Sequence, residues 1–151
     1  MTNPILKEFW KWASMTPEEY AQGIHDKIIE DDFDHFVSLI AYAKEIINKN
    51  LLSVNDLDDL ITIMALDHEA ETVLEYIEKN SSNEQLEQIV SLGTVHLQPE
   101  ARWQIAELIF RRKPQNDMNK LRFLAKDHDP YVKKRAQNCI DTLESTSFTE
   151  E

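Results

Sequence analysis

Turn-forming and cross-linking residues are scarce in this chain, whose 151 residues include only 2 glycines, 5 prolines and 1 cysteine. So few glycines leave a multi-stranded sheet short of the positive-φ residues that its hairpins need. The lone Cys139 excludes an intrachain disulfide and a cysteine-built zinc cage. No run approaches the roughly 20 apolar residues of a membrane helix, and Lys7, Glu8 and Lys11 interrupt the apolar opening of the chain. There is no glycine-rich phosphate loop, no redox pair of cysteines and no singular Ser-His-Asp spacing. These absences lead us to expect a cytoplasmic, membrane-free and non-enzymatic chain without a metal or cofactor.

What is abundant is the helix-forming set of Leu, Ile, Ala, Glu and Lys. Ile5, Leu6, Phe9, Trp10 and Ala13 recur at helical spacing behind Pro4. Thr16-Pro17-Glu18-Glu19 then combines an N-cap, a proline at the first position and a glutamate at the third. The pattern predicts a second helix that turns Tyr20, Ile24 and Ile28 inward and ends near Asp31, and a third from about Asp32 to Asn48. Shorter helices follow at about 54–66, 68–79, 83–93, 98–112, 116–126 and 130–145, with a frayed tail over 145–151.

The later helices repeat. Asp67-His68-Glu69-Ala70, Gln98-Pro99-Glu100-Ala101 and Asp129-Pro130-Tyr131-Val132 lie 31 residues apart, and each is expected to open a helix. Apolar positions follow in step as Ala70/Ala101/Val132, Leu74/Ile105/Ala136 and Ile77/Leu108/Cys139, with a weaker copy at Phe36, Leu39, Ala43 and Ile46. The run Asp127 to Ala136 resembles the second-helix signature of a HEAT repeat, in which an Asp-Pro turn leads to a valine, basic residues and a buried alanine. Pro99-Glu100-Ala101-Arg102 resembles it more loosely, and the 67–78 copy lacks both the proline and the basic residue. The resemblance implies an all-α fold, an α-solenoid of stacked antiparallel helix pairs with about eight or nine helices. One domain then spans 1–144, with 1–50 as capping helices, 54–144 as HEAT-like pairs and 145–151 as a flexible tail.

Charge divides the chain differently. Residues 17–79 hold 16 acidic and 4 basic side chains, whereas residues 96–144 hold 7 acidic and 10 basic, within a net charge of −12. Such a field repels nucleic acid and draws basic proteins. Asp34-His35, Asp67-His68 and Asp127-His128 could be read as metal ligands or as a general base held by a carboxylate, but all fall at expected turns, where Asp and His are good turn and helix-start residues. Arg111-Arg112-Lys113 ends an expected helix and Cys139 takes a core position, so both are read as structural.

The four glutamates Glu69, Glu71, Glu75 and Glu78 have no lysine among them, a self-repelling arrangement that suits a cationic partner. Candidate contacts are therefore Asp31, Asp32, Asp34, Asp58, Asp59, Glu71, Glu75 and Glu78. Small, acidic, helical bacterial proteins of this build are similar to immunity proteins that neutralise a basic, nuclease-like cognate toxin, which is the function the resemblance implies. A scaffold within a larger complex is the alternative. A HEAT-like DNA glycosylase fits less well, because its basic groove is missing from the acidic half.

Overall fold

The computed structural model describes residues 3–23, 28–112 and 117–149. Among them the regular structure is entirely helical. Helix α1, Pro4–Ala13, is opened by the Asn3 side chain, which accepts from the Ile5 N–H at 2.8 Å. Helix α2, Pro17–Ala21, has the reciprocal Thr16/Glu19 capping box that its sequence predicts. It does not continue to Asp31. Gly23 takes a φ of +89°, a left-handed conformation that ends helices. Ile28 and Ile29 are non-helical, a 3₁₀ turn follows at Glu30–Asp32, and Ile24 lies outside the described residues.

Helices α3 (Phe36–Ile47), α4 (Val54–Leu66), α5 (Thr72–Asn80), α6 (Asn83–Gly93), α7 (Pro99–Arg112), α8 (Met118–Leu124) and α9 (Pro130–Thr149) complete the order. Capping boxes at Ser53/Asp56 and Ser82/Gln85 fix the starts of α4 and α6 where the sequence puts them. Helix α3 starts later than the expected Asp32, and α9 continues through most of the tail expected to fray.

The largest departure is α5, which begins at Thr72 and not at 68. Asp67-His68-Glu69-Ala70 is a turn, and the Asp67 carboxylate reaches past it to accept the Val73 N–H at 2.8 Å. Glu71 is held at a φ of +58°, so the backbone changes hand before the new helix starts. Ala70 is consequently exposed, while the other two repeat rows, Leu74/Ile105/Ala136 and Ile77/Leu108/Cys139, are all buried.

From α3 onward, packing follows chain order. Helix α3 meets α4 and α5, α4 meets α5 and α6, α5 meets α7, and α7 meets both α8 and α9. Helix α4 also packs on α7. Gly93 permits the approach of α6 to α7, since a Cβ there would come within 2.5 Å of Ile105 Cγ1. The tryptophan-bearing start docks against α3: Phe9 is fully buried, packed edge to face on Phe33 at 5.4 Å, and Trp10 lies edge-on to Tyr20 at 5.6 Å. No helix among the described residues is long and apolar enough to cross a membrane.

Candidate functional site

The acidic residues singled out by sequence fall into three physical situations. Asp59 is buried at 3 % exposure and cannot be a surface contact. Its carboxylate accepts from the Asn3 N–H and the Tyr42 hydroxyl, both at 3.3 Å, which ties α1 and α3 to α4. Burial pushes its pKa upward against those bonds. It is part of the fold.

Asp58, Glu71 and Glu78 reach the surface but are engaged. Asp58 pairs with His96 Nε2 at 3.1 Å, a bond that lowers the Asp58 pKa. His96 Nδ1 accepts from the Gln98 N–H at 3.1 Å, so Nε2 is the donor toward Asp58. Arg111 of α7 lies between Glu71 and Glu78, at 3.4 and 3.3 Å. The expected unbroken anionic face of 69–78 is therefore corrected: an arginine supplied by α7, 33 residues beyond Glu78, takes the place of the missing local lysine.

Asp31, Asp32, Asp34 and Glu75 remain exposed, and no ion pair engages them among the described residues. The three aspartates sit on the segment that enters α3. They border a groove of about 670 Å³ lined by Phe33, Phe36, Val37, Ile40, Ala41 and Lys44 of the α3 side, with Ala70, Thr72 and the buried Asp67 from the turn into α5. Val37 in that groove is 81 % exposed.

Beneath the rim lies a network that sequence reasoning missed. Glu30 is buried, accepts from the Tyr20 hydroxyl and pairs with His68 Nε2 at 3.3 Å. Burial pushes Glu30 upward, but the bonds to His68 and Tyr20 outweigh it and hold the carboxyl below its usual value. Burial likewise pushes His68 down, and Glu30 prevails and raises it. The network joins α2, the 3₁₀ turn and the α4–α5 turn, so the acidic segment is anchored from below. Asp67 beside it is raised to about 6 by burial, against the bonds from Val73 and Thr72.

A second cleft of about 390 Å³ crosses the starts of α5, α7 and α9. Glu69, Glu100 and Tyr131 hold equivalent places in three successive repeat copies, and all three line it. The 31-residue step was the signal that could have found it. Its aromatic wall is already taken: the Arg135 guanidinium lies 4.5 Å from the Trp103 ring centroid and 5.5 Å from that of Tyr131, and also pairs with Glu107.

The remaining sequence candidates are structural. Arg112 donates to the carbonyls of Glu78 and Ser81 and to Asn83 Oδ1, and Lys113 lies outside the described residues. Arg102 grips Asp127 through two bonds of 2.8 and 3.1 Å and donates to the His96 and Leu97 carbonyls. Asp127 and Asp129 accept backbone N–H groups at the start of α9, while His128 points into solvent. Burial raises the Cys139 thiol to about 11, which leaves almost no thiolate at neutral pH. Among the described residues no three His, Cys, Asp or Glu side chains form a metal-holding group.

No protein-family model matches the chain, and neither a curated protein nor a solved structure matches it.

Proposed function

We infer that this chain is a non-catalytic, cytoplasmic binding protein, built as a stack of helix pairs, that engages a basic protein partner through the surface around Asp31, Asp32 and Asp34. The observation that carries the reading is the placement of those three exposed carboxylates, unpaired among the described residues, along the rim of an open apolar groove. Like charges crowded on one short segment repel one another, and a cationic partner relieves that repulsion on binding. The favoured partner is a basic toxin that the chain neutralises as an immunity protein.

Co-expression with the product of a toxin-like reading frame beside its gene tests this. Wild-type protein should restore growth. The combined Asp31→Lys, Asp32→Lys and Asp34→Lys variant should lose that protection while its circular dichroism stays helical. Protection that survives the triple reversal would contradict the acidic-surface reading.

A further inference from the structure

The groove beside the acidic rim adds a second kind of recognition. It is lined by a face of α3 carrying Phe36, Val37, Ile40 and Ala41, places spaced so that they share one side of a helix. Phe36 and Ile40 rest partly on the core, whereas Val37 and Ala41 are exposed. From Phe36 to Lys44 the face runs about 12 Å at 1.5 Å per residue, room for roughly two turns of a docked helix.

Charge along the groove is polar. Asp31, Asp32 and Asp34 stand at the end where α3 begins, and Lys44 stands at the other, its ammonium also 5.4 Å from the Tyr76 ring centroid. An occupant must therefore be apolar on one side and cationic at one end. A helix that places its N-terminus and its lysines or arginines near the aspartates would also bring its C-terminal carbonyls to Lys44, satisfying the dipole at both ends.

We propose that this groove receives a basic amphipathic helix of the partner protein, with aliphatic side chains seated on Val37 and Ile40 and cationic side chains on Asp31, Asp32 and Asp34. The proposal rests on the acidic-surface reading and deepens it. A second copy of this chain is the poorer occupant, because its net charge of −12 repels an identical molecule. The cleft at the starts of α5, α7 and α9 is the poorer site, because Arg135 already occupies its aromatic wall.

Two labelled peptides probe it by fluorescence anisotropy. One is a short helical peptide with leucines three and four residues apart and lysines elsewhere. The other has equal charge, with serine in place of each leucine. Replacing Val37 and Ile40 with Gln should weaken the leucine peptide about tenfold, the size expected for removing two interface anchors, and leave the serine peptide unchanged. Val37→Gln alone, at an 81 % exposed position, should give a smaller loss in the same direction without affecting the fold.

Equal binding of both peptides, unaffected by these variants, would overturn the groove. In that case, weakening of both by Asp31→Asn, Asp32→Asn and Asp34→Asn would leave the acidic-surface reading intact. Indifference to that triple variant would overturn both. Concentration-dependent self-association abolished by Val37→Gln would overturn the proposal in favour of a second copy.

Discussion

Two sets of charges in this molecule are used in opposite ways. In the C-terminal half Arg102, Arg111, Arg112 and Arg135 each close an internal gap: two grip carboxylates across helix pairs, one bridges Glu71 and Glu78, and one caps the carbonyls that end α5. In the N-terminal half Asp31, Asp32 and Asp34 face outward beside uncovered apolar surface. The charges that the fold consumes are thus distinguishable from those it leaves over, and function is to be sought among the second kind. Net charge by segment could not make that distinction, since both halves are rich in charged residues.

Among the C-terminal arginines, Arg102 carries the largest structural load. Arg102→Ala would leave Asp127, whose side chain is 6 % exposed, buried without its cation. Removing one member of a buried pair costs about 3–5 kcal/mol. Urea denaturation should show a loss of that size, and a loss below about 1 kcal/mol would mean the C-terminal charges are not structural.

Asp67 gives a smaller effect with a definite pH signature. Its folded pKa of about 6 lies above the ordinary 3.8, so the folded state holds the proton more tightly. The resulting stability is fully present below the unfolded value and is lost as pH rises from about 4 through about 6. That difference amounts to on the order of 3 kcal/mol. Asp67→Asn keeps an acceptor for the Val73 N–H without a charge to bury. It should therefore gain on wild type between pH 4 and pH 7.5 in chemical denaturation. A constant difference across that range would refute the assignment.

Gly93→Ala should cost about 1–3 kcal/mol by forcing Ile105 away from α6, read as a drop in thermal midpoint. Smallest of all, Glu71→Gln or Glu78→Gln should cost below about 1 kcal/mol, because Arg111 and its partners are partly exposed. A larger loss would move those glutamates fully into the structural group.

What the sequence disclosed followed from local rules. The starts of α4 and α6 are readable because a serine and the residue three places on cap each other. The start of α5 is not, because Asp67 caps from six residues away across a left-handed Glu71. Repeat spacing located buried rows in α5, α7 and α9, yet it misplaced Ala70 for the same reason. Among the candidate contacts, Asp58 and Asp59 are neighbours with different fates. Asp59 turns inward only because Asn3 and Tyr42, from distant parts of the chain, are there to meet it. The pairing of Glu30 with His68, 38 residues apart, likewise has no signature in local pattern.

The most direct measurement sets the two halves against each other in one binding experiment. Affinity for the leucine-and-lysine peptide would be measured for wild type, for Asp31→Asn, Asp32→Asn and Asp34→Asn combined, and for Lys133→Gln and Lys134→Gln combined, the latter pair being exposed on α9. The account predicts a loss of about tenfold or more for the aspartate variant, with a flatter salt dependence, and none for the lysine variant. Equal affinity for all three proteins would contradict it.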